Sequence, residues 1–176
     1  IAAESPLAAA PSTPEPQANP AIGQFAARAN LGDSQAMLAM GMAYAGGIGV
    51  ERNDAEAANW LERAARAGEA VAQFQLGVAY EKGTGVPADP KQASRWYTEA
   101  AQGGNAKAMY NLGVSYANGS GVEKNLAEAV RWFQSAATLG LTDAQFNLAV
   151  LYEHGLGVGA SLVEAYKWYA IAAAGG

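Results

Sequence analysis

Four tryptophans, Trp60, Trp96, Trp132 and Trp168, stand 36 residues apart. Tyr44, Tyr80, Tyr116 and Tyr152 keep the same step, as do Ala36, Ala72, Ala108 and Ala144 and the apolar series Met40, Leu76, Leu112 and Leu148. Glycines follow in three columns, headed by Gly47, Gly49 and Gly68, and Val50, Val86, Val122 and Val158 form another. A whole class of rare residue falling into one column is not a chance pattern. Periods of 20–50 residues mark arrays in which each supersecondary unit covers the apolar face of the next. Four units follow, at 33–68, 69–104, 105–140 and 141–176.

Each unit reads as two helices. Ala72, Leu76, Ala79 and Tyr80 occupy the i, i+4, i+7, i+8 positions of an amphipathic helix. Gly77 interrupts that stripe at a cost of about 1 kcal/mol against Ala, which is reasonable only where another helix approaches closely. The first helix is predicted to stop at a G-x-G-V loop, where glycine can adopt the left-handed conformation. The second then opens with a capping-box pattern: Asn53 with Glu56, Asp89 with Gln92, Asn125 with Glu128, Ser161 with Glu164. With two helices in every unit, the fold class is all-α.

The flanks differ. Residues 1–20 hold five of the seven prolines among Ala, Ser, Thr and Gln, the composition of a flexible linker. Residues 21–32 read as the second helix of an incomplete preceding unit, so the repeat domain spans 21–176. The chain starts at Ile1 with no charged segment ahead of an apolar run, as a processed or excised piece would. The 42 Ala and 21 Gly exceed a third of the 176 residues, which suits closely packed helices. With no Cys, disulfides and thiolate metal sites are excluded. A net charge of -5 with 11 Lys and Arg argues against nucleic acid or an anionic membrane as the main partner. No apolar run approaches the roughly 20 residues a membrane span needs.

Catalytic sets are not apparent. His154 is the sole histidine, so neither a multi-histidine metal site nor a second imidazole for a nucleophile is available. Its place at the end of a first helix suits a cation facing the helix dipole. An S-x-x-K nucleophile motif is absent. The Gly47-Ile48-Gly49 loop follows a helix rather than a strand and lacks the third glycine of a dinucleotide fingerprint. Asn118-Gly119-Ser120 matches a glycosylation sequon but falls in the repeated turn. The aligned tryptophans resemble a stacking platform, yet each is followed by an Ala-Ala pair, as in Trp96 with Ala100 and Ala101, which is a packing pattern. Neither cofactor nor metal is implied.

The unit A-x-x-x-L-G-x-x-Y, G-x-G-V, A-x-x-W-x-x-x-A-A-x-x-G resembles the Sel-one-like repeat family. In the second unit it runs through Ala72, Leu76, Gly77, Tyr80, Gly83, Gly85, Val86, Ala93, Trp96, Ala100, Ala101 and Gly104. Tetratricopeptide repeats are close relatives with a period of 34. The resemblance implies a right-handed α/α superhelix, and scaffold or adaptor roles in bacterial envelopes or eukaryotic quality-control and signalling complexes. An Ala/Pro linker leading into such repeats is similar to the periplasmic part of cell-pole localisation scaffolds of the PodJ type. A bacterial periplasmic location within a larger membrane-anchored or exported protein is the corresponding expectation.

Function then falls to the columns that vary. Stacked helix pairs curve so that first helices line the inner face. Leu38, Phe74, Tyr110 and Phe146 form one row toward that groove, and Ala39, Gln75, Asn111 and Asn147 the next. The amides offer donors and acceptors at one-repeat spacing, suited to the backbone of an extended peptide. Lys82, Asn118 and His154 lie at the rim. The expectation is a non-enzymatic protein–protein interaction module with a protein partner in this groove. A cell-wall carbohydrate binder or accessory hydrolase acting on peptidoglycan is the rival, and self-association through a terminal face a further one.

Overall fold

A computed structural model describes residues 20–175, and the helices among them reproduce the repeat. A single helix, α1 (Pro20–Asn30), precedes four pairs. The first helices are α2 (Ser34–Gly46), α4 (Ala70–Lys82), α6 (Ala106–Asn118) and α8 (Thr142–His154). The second helices are α3 (Asp54–Arg66), α5 (Pro90–Gln102), α7 (Leu126–Thr138) and α9 (Leu162–Gly175). Among the described residues no strand occurs. Apart from Pro20, which opens α1, the linker expected over 1–20 lies outside the described residues, as does Gly176, the last residue of its column. Gly32 follows α1 at φ 96°, as Gly68 follows α3 at φ 93°, so α1 stands where the second helix of a preceding unit would.

Each helix packs chiefly on its neighbours in sequence, giving an all-α superhelix. The first helices are therefore flanked on both sides by second helices, which alters their expected pattern. A one-sided apolar stripe describes α3, α5 and α7, whereas in α2, α4 and α8 the apolar residues are not confined to one side. A helix packed on both sides buries two stripes and leaves only a narrow strip for polar residues such as Gln75 and Asn147. Leu76, Leu112 and Leu148 are almost fully buried in α4, α6 and α8, each contributing about 2 kcal/mol by leaving water. Trp96 and Trp168 are buried, while Trp60 and Trp132 are half-buried. Trp132 packs against a cluster that joins Ala93, Ala100 and Ala101 of the preceding repeat to Ala108 and Leu112 of its own, so the tryptophans serve the packing pattern.

The helical glycines mark close crossings. A Cβ on Gly77 would lie 2.6 Å from the Tyr97 ring, one on Gly41 2.8 Å from the Leu61 side chain, and one on Gly113 2.9 Å from the Phe133 ring. In α2, α4 and α6 the first helix thus leaves room for one large side chain of its own second helix.

The loops tie the repeats together. Gly83 ends α4 in the left-handed region at φ 69°. Gly85, at φ 74°, lies directly over the Asp54 carbonyl at the start of the preceding repeat's second helix. Gly121 stands likewise over Pro90, and Gly157 over Leu126. The cap side chains behave as predicted on one side only. Asn53 Oδ1 accepts from the amides of Ala55 and Glu56, Asp89 and Asn125 repeat this, and Ser161 Oγ accepts from Glu164 at 3.3 Å. The reciprocal half differs: the cap amides donate not to Glu56 and its equivalents but to the column tyrosines. Asn53, Asp89, Asn125 and Ser161 bond the carbonyls of Tyr44, Tyr80, Tyr116 and Tyr152 at 2.8–3.0 Å. The loop folds back far enough to bring a free backbone acceptor nearer than the glutamate side chain.

Candidate protein-binding groove

The two rows of first-helix residues come together on one face, unequally along the array. Phe74, Tyr110 and Phe146 each pack on an aromatic ring of the same repeat's second helix. Ring centroids are 6.0 Å apart for Phe74 and Tyr97, 5.6 Å for Tyr110 and Phe133, and 5.4 Å for Phe146 and Tyr169. Phe74 and Tyr110 are half-buried, whereas Phe146 is 53% exposed. The row is therefore part core at its first members and open at its last.

The amides one position on are all half-buried, but differ in partner. Asn111 bonds the Tyr97 hydroxyl, which in turn donates to Glu81 Oε2 at 2.8 Å. Asn147 Nδ2 reaches the Tyr110 hydroxyl at 3.4 Å. Gln75 lines a cavity of about 210 Å³ with Leu61, Val78 and Lys82. Tyr110 and Asn147 stand between two more: one of about 510 Å³ shared with Phe146, Asp143 and Tyr169, and one of about 380 Å³ shared with Phe133 and Val150. Lys82 and His154 are exposed at the ends of α4 and α8, and His154 borders none of these three cavities.

The structure thus joins Tyr110, Phe146 and Asn147 in one place and Gln75 with Lys82 in another, while Phe74 and Asn111 close on Tyr97. Sequence reasoning did not find Tyr97, Tyr169, Val78 or Val150. Their signal was present: Tyr97 and Tyr169 occupy the column of Leu61 and Phe133, and hydroxyls appear only in alternate repeats. Burial, reinforced by the Glu81 carboxylate accepting its proton, pushes the Tyr97 phenol well above its ordinary value against the smaller, opposing effect of Asn111. The accepting Glu153 carboxylate raises the Tyr169 phenol similarly.

Among the described residues no helix is long and apolar enough to cross a membrane, and no three His, Cys, Asp or Glu side chains are grouped to hold a metal.

Helix pairs stacked at a fixed step, with a lined face and variable residues upon it, define a solenoid of repeat-scaffold type. The Sel1 repeat model matches residues 34–69, 70–105, 106–141 and 142–176, and the chain belongs to the Sel1 repeat family. Repeats of this family generally act as non-catalytic scaffolds mediating protein–protein interactions. Comparison with curated protein sequences gives no match. Among solved structures, the chain is similar to c5321, a protective antigen of uropathogenic Escherichia coli with an SLR fold. Identity is 38% and the TM-score 0.85, over 88% of this chain and 33% of that one. A Sel1 repeat protein from Oxalobacter formigenes shares 31% identity with a TM-score of 0.85, over 89% of this chain and 64% of that one. Cysteine-rich protein B of Helicobacter pylori shares 25% identity with a TM-score of 0.56, over 71% of this chain and 90% of that one. The chain spans about a third of c5321 and just under two thirds of the Oxalobacter protein.

Proposed function

We propose that this chain is a non-catalytic adaptor that holds a protein partner as an extended segment along the face lined by Phe74, Gln75, Tyr110, Asn111, Phe146 and Asn147, with Lys82 and His154 at its rim. The observation that carries this reading is the row of half-buried side-chain amides at one-repeat spacing, of which Gln75 and Asn147 line open apolar cavities. An extended backbone offers a donor and an acceptor at each residue, and a side-chain amide can answer both. The setting we propose is the envelope of a bacterium, with the repeats in the periplasm as part of a longer polarity or envelope scaffold. The bacterial origin of the similar structures supports that setting.

The test is the triple variant Gln75→Ala, Asn111→Ala, Asn147→Ala, assayed by pulldown of envelope proteins alongside far-ultraviolet circular dichroism. Loss of a partner with helicity intact is the expected result. Unchanged capture with intact helicity would sink the assignment.

Two observations favour other readings. Phe146, Tyr110 and Tyr169 surround the largest of the three cavities, an arrangement a sugar ring could enter. Calorimetric titration with soluble peptidoglycan fragments decides it, since no heat at any concentration removes the carbohydrate reading. On α9, Val163 and Tyr166 are 78% and 77% exposed, which supports self-association. A sedimentation coefficient constant over a hundredfold concentration range would remove that.

A further inference from the structure

The cavity between the first and second repeats and the smaller cavity between the third and fourth are one site occurring twice. Leu61, Gln75 and Val78 line the first. Phe133, Asn147 and Val150, each two repeats further on, line the second. Between them, at the junction of repeats two and three, the corresponding column holds Tyr97. It is only 1% exposed, and its hydroxyl fills the space by bonding both Glu81 and Asn111. The sequence alternates to match. Where Glu81 stands in the second repeat, the first and third have Ala45 and Ala117, each lining its cavity.

The residue type at the rim varies with the same beat. Lys82 lines the first cavity. His154, its counterpart two repeats on, follows Val150 by four residues on α8, on the same side of that helix. The intervening position is the neutral Asn118. Neither Lys82 nor His154 makes an ion pair among the described residues. The neighbouring carboxylates are already engaged: Glu81 by Tyr97, Glu153 by Tyr169 and Asp54 by Arg52. Each site therefore presents an apolar pocket with a side-chain amide beside it; the Lys82 ammonium stands in the wall of the first, and the His154 imidazole lies one helical turn beyond Val150, outside the wall of the second.

Resting on the groove reading above, we propose that the partner segment is an extended peptide carrying an apolar side chain followed by an acidic one, and that the array takes two such motifs, one at each open junction. The apolar group enters between Leu61 and Val78, or between Phe133 and Val150. Gln75 or Asn147 pairs with the peptide backbone there, and the acidic group faces Lys82 or His154. The middle junction, closed by Tyr97, sets the distance between the two motifs.

The test is a methyl and side-chain amide NMR titration of this chain with N-acetyl-Leu-Asp-amide and, as control, N-acetyl-Leu-Asn-amide. Val78 and Gln75 should shift together, as should Val150 and Asn147, with Asn111 unmoved. The neutral probe should bind about two- to fivefold more weakly, the worth of one exposed charge contact. The variant Ala117→Glu with Phe133→Tyr rebuilds the middle plug at the second site, over Gly113 as Tyr97 sits over Gly77. It should abolish the Val150 and Asn147 shifts and spare the first site. If that variant does not fold, Asn147→Asp serves instead, removing the amide donor and repelling the acid at the second site alone. Equal shifts at Gln75, Asn111 and Asn147 would overturn the two-site inference while leaving the groove reading standing. No shift at either pocket, with the triple amide variant still losing its partner, would overturn the inference alone. Equal binding of both probes would remove its acidic element.

Discussion

The Tyr97 hydroxyl donates to Glu81 Oε2 at 2.8 Å across the two helices of one repeat, and Tyr169 repeats that bond to Glu153 at the same distance. Only the first of these pairs is buried against a following repeat, where Asn111 completes it. Both phenols are raised above 10.0. A raised phenol is neutral in the folded chain while the unfolded chain has begun to ionise, so its stabilising contribution is present below about pH 10 and falls away above it. Alkaline titration followed at 295 nm should therefore leave Tyr97 un-ionised until the chain unfolds, and Tyr97→Phe should flatten the loss of stability above pH 10. An unaltered alkaline limb in that variant would contradict the assignment. At neutral pH the same variant leaves Asn111 and Glu81 short of a partner and should cost about 1–2 kcal/mol in denaturant unfolding.

Gly77→Ala sets helix propensity against packing. The new methyl gains about 1 kcal/mol in a helix, but lies 2.6 Å from a ring that is 1% exposed and without room to shift. Overpacking of this kind costs about 1–3 kcal/mol, so the expected outcome is net destabilisation. The paired change Gly77→Ala with Tyr97→Leu should recover part of it. Urea midpoints of the two variants and of Tyr97→Leu alone, each against the parent chain, check this.

Gly85→Ala should be worse. It places a side chain at φ 74° and against the Asp54 carbonyl, which belongs to backbone and cannot rotate away. The left-handed conformation alone costs about 1–2 kcal/mol, and the contact adds to it. The loss should separate repeat one from repeat two, visible as a second unfolding transition or as early hydrogen exchange confined to α1–α3.

Gln145→Met should be nearly neutral. Gln145 Oε1 is buried without a partner, while its amide donates to the Ala137 carbonyl at 3.1 Å. That carbonyl also accepts from Gly140, so removing the amide leaves no acceptor stranded. Met37 and Met109 occupy the same column. A change within about 1 kcal/mol is expected, since the lost bond and the relieved oxygen are of comparable size. Destabilisation beyond about 2 kcal/mol in calorimetry would refute this reading.

The columns that repeat at every step were legible without coordinates, because packing small against large leaves a mark in each unit. Trp60, Leu76 and Gly77 belong to that class. The groove was legible only as rows of positions. Whether Gln75, Asn111 and Asn147 are equivalent depends on what stands across the helix pair, and Tyr97 and Glu81 meet through register that sequence spacing does not express. The alternation of Ala45, Glu81, Ala117 and Glu153 is visible in the chain but has no meaning until the Tyr97 hydroxyl gives it one. The cap glutamates misled for a related reason. A capping box is a local pattern, and the Tyr44 carbonyl that displaced Glu56 lies on another helix.

The amide of Asn53 on the Tyr44 carbonyl, together with Gly85 seated over Asp54, has a consequence for how such a chain can vary. Surface loops ordinarily accept extra residues at small cost. Here each loop from the second repeat on is pinned at one end to its own first helix and in the middle to the preceding unit, through backbone atoms that no side-chain change can replace. One added residue would unseat both contacts at once. The 36-residue step is thus a ruler enforced by main chain, and lengthening such an array requires copying whole units.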